Sequence, residues 1–385
     1  SDEFLDMTNP RKMMMAAAAG GGGQSLATKT HFGWGQNNDG QVGDGNDINW
    51  TGVSSPVQIG EADIWYSIQK TGQMTIAMQS NGSLWAWGRN TIGQLGDGTA
   101  VSKSSPVQIG DLTDWSVLGS GLVNGYAIKT DGTLWAWGYN ETGALGDGTV
   151  VTKSSPVQVG SLTTWASLSK TEHLFFHAVK TDGTLWAWGD NSSGRLGDGT
   201  AVNKSSPVQI GSSTDWLQVA GASNTSYAVK TDGTLWAWGL NTGGQMGDGT
   251  AVSKSSPVQI GSLTTWTSVS GAGNASAYAI KSDGTLWSWG YNITGGLGHG
   301  DEVNRSSPTQ VGSLTTWLSV AAGDGGSGAT VLAVKTDGTL WGWGENDIGN
   351  LGDGTVVRKS SPIQIGSSTD WTAASVGGDT SGALQ

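Results

Sequence analysis

Short apolar runs alternate with polar turns along this chain, and no stretch carries the three-to-four-residue periodicity of an amphipathic helix. Tyr126-Ala127-Ile128-Lys129 and Leu134-Trp135-Ala136-Trp137 flank Thr130-Asp131-Gly132. Asp-Gly between two such runs predicts a β-hairpin, because Gly takes positive φ freely and Asp tolerates it. A loop follows from Gly138 to Gly143, then a second tight turn at Leu145-Gly146-Asp147-Gly148-Thr149. Pro156-Val157-Gln158-Val159 and Trp165-Ala166-Ser167-Leu168 read as two further strands, with Pro at a strand start or edge where its missing N–H is harmless.

This unit recurs. The second tryptophan of the hairpin falls at Trp34, Trp87, Trp137, Trp188, Trp238, Trp289 and Trp343, a period of about fifty residues. Ser-Ser-Pro keeps step at Pro56, Pro106, Pro156, Pro207, Pro257, Pro308 and Pro362. A third tryptophan follows each, from Trp65 to Trp371, and only Trp50 stands outside the pattern. Four short strands per unit, seven times over, predict an all-β, seven-bladed β-propeller.

In a ring every blade packs both faces. Alternation along Leu134-Trp135-Ala136-Trp137 puts the two tryptophans on one face and Leu134 and Ala136 on the other, so the large face of one blade meets the small face of the next. Each buried tryptophan contributes at most about 4–6 kcal/mol by area. The first copy, His31-Phe32-Gly33-Trp34, lacks the Asp-Gly turn before it, while the C-terminal Gly382-Ala383-Leu384-Gln385 matches the strand that is missing there. One blade is therefore expected to be shared, some strands following Leu26 and the others following Trp371.

Composition narrows the function classes. Gly at 64 and Trp at 21 of 385 residues suit strands and turns, the absence of Cys removes disulfides, and a net charge of −12 opposes phosphate-backbone binding while favouring solubility. No apolar run reaches the ~20 residues of a membrane span. Met13 to Gly23, behind Arg11 and Lys12, imitates a short secretory signal, but its passage into four glycines favours a flexible arm over residues 1–24 preceding a propeller over 25–385.

The stretch TDGTLWAWGYNETGALGDGT followed by SSPVQVG resembles the repeat of the regulator of chromosome condensation family, over about residues 26 to 385. The resemblance implies a seven-bladed propeller. Its functional implications are broader: exchange factors for small GTPases, chromatin binders, β-lactamase inhibitors and modules of extracellular or viral proteins. Gly-Asp-Gly replaces the family's frequent Gly-His-Gly except at His299, and the family's frequent His before the Ala-Ile-Lys strand is replaced by Met74, Asn124, Phe175, Thr225 and Ser276. Neither a basic tail nor a wedge-like insertion is visible, which argues against the chromatin and exchange-factor roles.

Positions that break the repeat are the candidates for recognition. One variable segment precedes the second strand of each unit, as in Glu172-His173-Leu174-Phe175-Phe176-His177 and Gly323-Asp324-Gly325-Gly326-Ser327. The other is the residue after Trp-Gly: Gln36, Arg89, Tyr139, Asp190, Leu240, Tyr291 and Glu345. Since the Asp-Gly hairpin closes the two strands at one end, both segments are expected on the opposite rim. Arg89, Tyr139, Asp190, Leu240, Tyr291, Glu345, His173, Phe175 and Phe176 form the candidate binding set, with Tyr139, Tyr291, Arg89 and the two phenylalanines of the type that anchors interfaces. The competing reading packs Phe175 or Phe176 between blades in tolerant loops.

Chemistry is sparse. His173 and His177 are four apart, about 13 Å along a strand and too far to share a metal. The Asp-rich turns, including Asn37-Asn38-Asp39-Gly40 and Asp44-Gly45-Asn46-Asp47, lack a complete calcium loop with its distal Glu and read as turn chemistry. No Ser/His/Asp grouping, paired carboxylates or phosphate loop stands out, and no cofactor is implied. Asn-x-Ser/Thr matches such as Asn140 are expected by composition.

The arm is similar to the short starts of some phage structural proteins and is a candidate docking element for a larger assembly. The sequence thus points to a non-enzymatic binding propeller with a loop-lined rim for protein or glycan, on a virion or cell exterior. The alternative is a regulator of an enzyme, either a GTPase exchange factor or a hydrolase inhibitor.

Overall fold

A computed structural model describes residues 29–46, 52–61, 64–171, 173–273, 275–324 and 328–385. Residues 1–24, where the sequence predicts an arm, Leu26, Trp50 and the Gly325-Gly326-Ser327 segment lie outside the described residues. The described residues contain strands and turns and no helix.

Strands β1 (His31–Gly35) and β2 (Val53–Gln58) come first. The first complete blade is β3 (Trp65–Lys70), β4 (Met74–Gln79), β5 (Leu84–Gly88) and β6 (Lys103–Gln108). The second is β7 (Trp115–Ser120), β8 (Asn124–Lys129), β9 (Leu134–Gly138) and β10 (Lys153–Gln158). The third is β11 (Trp165–Leu168), β12 (Phe175–Lys180), β13 (Leu185–Gly189) and β14 (Lys204–Gln209). The fourth is β15 (Trp216–Gly221), β16 (Thr225–Lys230), β17 (Leu235–Gly239) and β18 (Lys254–Gln259). The fifth is β19 (Trp266–Ala272), β20 (Ser276–Lys281), β21 (Leu286–Gly290) and β22 (Arg305–Gln310). The sixth is β23 (Trp317–Asp324), β24 (Ala329–Lys335), β25 (Leu340–Gly344) and β26 (Lys359–Gln364). β27 (Ala373–Gly377) and β28 (Thr380–Leu384) end the chain.

Each complete blade is an antiparallel four-stranded meander, and the seventh has the order β2-β1-β28-β27. The expected shared blade is therefore present: Phe32 pairs with Ala383 and Gly33 with Gly382, so the two ends of the chain are joined by a strand ladder. The first strand of each blade lines the ring axis. Gln69, Val117, Leu168, Gln218, Ser270, Ala321 and Ser375, one from each blade, surround an axial cavity of about 550 Å³.

The core sits between blades. Trp137, Trp115 and part-buried Trp135 of the second blade pack on Ile76, Leu84 and Ala86 of the first. Leu134 and Ala136 on the other face meet Trp165 and Trp188 of the third. This is the large-against-small arrangement that the alternation predicts, and the last junction repeats it with Trp34 and Trp371 against Leu332, Leu340 and Leu351. The hairpin motif explains its own geometry: Gly132 has φ +79°, Asp131 accepts from the N–H and hydroxyl of Thr133 at 2.9 and 2.7 Å, and Thr133 Oγ1 accepts from Trp135 Nε1 at 3.0 Å.

Candidate functional site: the loop-bearing rim

The Asp-Gly hairpins and the links between blades occupy one rim, and the two variable segments occupy the other. They are stitched together in blade after blade. The N–H of Arg89 donates to the Gln73 carbonyl at 2.9 Å, Tyr139 to Val123 at 3.3 Å, Asp190 to Leu174 at 2.9 Å, Leu240 to Asn224 at 2.8 Å, Tyr291 to Ala275 at 3.3 Å and Glu345 to Ala329 at 2.9 Å. The rim expected from strand direction alone is thus a single surface built from both segments.

The Gly-Asp-Gly loops at its outer edge latch the ring. The N–H of Gly98 donates to Ser154 O at 2.8 Å and that of Gly354 to Ser54 O at 2.8 Å, in each case the Ser-Ser-Pro strand of the next blade. The central carboxylate is consumed locally: Asp97 Oδ1 accepts from Asn90 Nδ2 at 2.9 Å, the Thr99 N–H at 2.9 Å and the Thr99 hydroxyl at 2.8 Å. Burial opposes ionisation of Asp97, but the Thr99 and Asn90 hydrogen bonds outweigh it and hold the pKa below the usual value. Among the described residues no group of three or more His, Asp or Glu side chains is placed to hold a metal ion.

At the ring axis one side chain bridges three blades. Lys170, just beyond β11, reaches across the channel to donate to Ala322 O at 3.1 Å and to Val376 O, joining the third blade to the sixth and seventh.

One sector of the rim differs from the rest. Arg195 is 2 % exposed, in a loop slot held elsewhere by Gln41, Gln94, Ala144, Gln245, Gly296 and Asn350. Its Nη1 lies 2.9 Å from His173 Nδ1, 3.4 Å from Asp190 Oδ2 and 3.2 Å from Ser223 O, its Nη2 donates to Ser192 Oγ at 2.8 Å, and the guanidinium carbon is 5.6 Å from the centre of the Phe175 ring. Arginine only donates, so His173 Nδ1 accepts and Nε2 carries the proton. Burial first and the Arg195 charge second lower the His173 pKa, which keeps the ring neutral at neutral pH, with Asp190 opposing. The side chains of His173 and Asp190 are 33 % and 15 % exposed, so the sector offers an N–H donor beside a carboxylate, both fixed by a buried cation.

The other candidates divide in two. Arg89, Tyr139, Leu240 and Tyr291 are half-buried and sit one per blade around the rim. Tyr139 donates to Glu141 Oε2 at 2.8 Å, and the Tyr291 ring covers Gly243 of the preceding blade. Phe175, Phe176 and Glu345, in contrast, are 0 %, 0 % and 3 % exposed. The phenylalanines already belong to β12, so alternation sends Phe175 into the junction with the fourth blade and Phe176 into that with the second, where it stacks on Tyr126 at 3.6 Å. They are core residues rather than surface anchors. Arg195 stands outside the candidate set drawn from the sequence; its signal there is the lone charge in a slot otherwise uncharged.

The Regulator of chromosome condensation (RCC1) repeat matches residues 81–118, 131–169, 182–229, 232–279, 283–330 and 337–384, well over half of the chain. The chain belongs to this family. The RCC1-repeat ring is similar in fold to Prp20p from Saccharomyces cerevisiae, with TM-score 0.80 and 20 % identity over 94 % of this chain and 92 % of that one, and to human WBSCR16, with TM-score 0.81 and 17 % identity over 92 % and 98 %. In sequence it is 40 % identical over 80 residues to a Protein RCC2 homolog of Danio rerio, covering 21 % of this chain and 16 % of that protein. It is 28 % identical over 192 residues to the Ultraviolet-B receptor UVR8 of Arabidopsis thaliana, covering 49 % and 43 %. The chain thus spans less than half the length of these two relatives. None of these relatives is a virion or cell-surface component by its description, so they lend no support to that setting.

Proposed function

We propose that this chain is a non-enzymatic regulator that binds a partner protein through the loop-bearing rim, with the His173–Asp190–Arg195 sector as the anchor. The carrying observation is the preorganised polar pair on that sector. His173 and Asp190 are held by a buried arginine that also touches the fourth blade through Ser223, so they present a donor and an acceptor with little conformational freedom left to lose. Arg89, Tyr139, Leu240 and Tyr291 would extend the contact around the ring. The virion or exterior setting and a glycan ligand give way to this reading.

Regulation of a small GTPase is the second reading. It is favoured by a 36 % identical match over 75 residues, 19 % of this chain and 5 % of that protein, to the X-linked retinitis pigmentosa GTPase regulator homolog of Caenorhabditis elegans, and by the likeness in fold to Prp20p, which binds Gsp1p and histones. Two measurements separate the readings. Partner capture from extract is compared for the unaltered chain, Arg195→Ala, and Leu162→Ala on the opposite rim; the proposal requires capture to fall only with Arg195→Ala, at a temperature where thermal unfolding shows all three still folded. Equal loss with Leu162→Ala would sink the rim assignment. Acceleration of nucleotide release from a small GTPase by the unaltered ring would establish the second reading.

A further inference from the structure

Two departures from the repeat occur in the fifth blade and touch each other. Ser288 stands where the other copies have Ala or Gly, and His299 stands where they have the Asp of Gly-Asp-Gly. Ser288 Oγ lies 3.0 Å from His299 Nε2 and 2.7 Å from the Leu297 carbonyl oxygen. A carbonyl only accepts, so the single hydroxyl proton is committed to Leu297. His299 must then donate from Nε2, which leaves Nδ1 as a bare acceptor with no protein partner among the described residues.

The loop has released this side chain from turn duty. In the sixth blade Asp353 accepts from Asn346 Nδ2 at 3.0 Å and from Thr355 N at 2.9 Å, and faces Lys359 at 3.4 Å. In the fifth blade the same work falls to Asp301, which accepts from Val303 N at 3.0 Å and Asn292 Nδ2 at 3.1 Å and pairs with Arg305 at 2.7 Å. His299 instead lines a groove of about 310 Å³ between the fifth and sixth blades, walled by Leu314, Trp317, Trp341 and Pro362. That is the lower end of the range for small-molecule sites, with the usual make-up of aromatic and apolar walls and one placed polar group.

We propose that this groove binds a small planar aromatic molecule bearing an N–H or O–H donor, a phenol or an indole, with the ring against the tryptophan and proline walls and the donor on His299 Nδ1. Burial, together with the neighbouring Arg305, lowers the His299 pKa, so the ring is a neutral acceptor at neutral pH. The site lies at the outer edge of a junction and is independent of the rim sector around Arg195.

The test titrates phenol, indole and toluene into the isotopically labelled full chain and follows the His299 ring and Trp indole resonances. A triple variant, Ser288→Ala, His299→Asp and Asp301→Thr, restores the residues that other copies carry and therefore keeps a loop the fold already uses. Saturable His299 shifts with phenol or indole are expected, with binding about tenfold weaker for toluene and for the triple variant, the loss of one hydrogen bond. No saturable shift with phenol or indole, toluene binding as tightly as phenol, or unchanged binding by the triple variant would each overturn the proposal.

Discussion

The indole N–H of Trp34 donates to the backbone carbonyl of Asn350 at 2.8 Å, across 316 residues of sequence. The same bond joins Trp238 to Arg195 O and Trp343 to Gly296 O, both at 2.8 Å, at junctions where the two blades follow each other in the chain. At Trp34 it closes the ring. Replacing this fully buried side chain by Ala removes the junction's largest apolar surface as well as the bond, and a loss of about 3–5 kcal/mol is expected. Trp135→Ala, at a part-exposed tryptophan, should cost less. Urea unfolding of both variants checks the order, and equal midpoints would mean that ring closure is held elsewhere.

Gly352 has φ +77°, and a Cβ on it would lie 2.7 Å from Trp34 Nε1; Gly366 has φ +65° with nothing within 4 Å. Both substitutions to Ala pay the left-handed backbone cost of about 1–2 kcal/mol. Only Gly352→Ala also drives a methyl group into the ring-closing tryptophan. The prediction is that Gly352→Ala destabilises by at least about 1 kcal/mol more than Gly366→Ala. Indistinguishable urea midpoints would contradict the packing described at this junction.

Phe176 decides between two roles that the sequence left open. A surface anchor loses binding and keeps stability when truncated. A side chain at 0 % exposure, stacked on Tyr126 at an interplanar angle of 18°, should instead cost about 3–5 kcal/mol as Phe176→Ala. Thermal unfolding of Phe176→Ala and Arg195→Ala side by side is the measurement. The second variant should stay closer to the parent melting temperature and lose the rim contact.

The ring was legible because its signals are local and repeated. Asp131-Gly132 fixes a turn, the alternation through Leu134 and Trp137 fixes two unlike faces, and the missing hairpin before Trp34 fixes the shared blade. The apolar packing between copies was legible from that alternation, but the hydrogen bonds between copies were not, because in a repeated sequence a bond within a unit and a bond to the next unit carry the same pattern. The Gly98 to Ser154 latch is of this kind: the sequence shows two turns and a Ser-Ser-Pro strand but not which blade each serves. The rim site was half legible. His173 and Asp190 were found as departures from the repeat, whereas Arg195, which unites them, lies in a slot whose occupants vary anyway. For Phe175 and Phe176 the sequence left surface anchor and inter-blade packing both open, and the strand boundary decides, since β12 begins at Phe175, three residues before Ala178.

Lys70 shows the same compensation across a junction and gives the last prediction. Tyr126, Tyr227 and Tyr278 donate their hydroxyls to the loop carbonyls of Ala144, Gln245 and Gly296 at 2.6–2.7 Å within their own blades. The seventh blade has Gly382 in that place, and Lys70 enters from the first blade, over Gly33 and Gly382, to donate to the equivalent Gln41 carbonyl at 3.2 Å. The amine is fully enclosed beside His31 and Trp87, and burial lowers its pKa from 10.5 to about 7. In the unfolded chain Lys70 holds its proton up to about pH 10.5, while in the ring it does so only below about 7. The unfolded state therefore binds more protons across that window, and stability rises with pH there by at most about 1.4 kcal/mol per pH unit from this group. His31, whose pKa is lowered by burial and by Lys70, acts below its ordinary 6.5, where acid destabilises the ring. Lys70→Met keeps the packing volume and removes the buried amine, and Gln41 O retains the hydroxyl of Thr75 at 3.0 Å as a donor. The variant should be more stable than the parent at neutral pH, with the difference shrinking steadily toward pH 10.5. Parallel stability curves for the two proteins, from urea midpoints across the window, would show that Lys70 keeps its ordinary charge inside the seam.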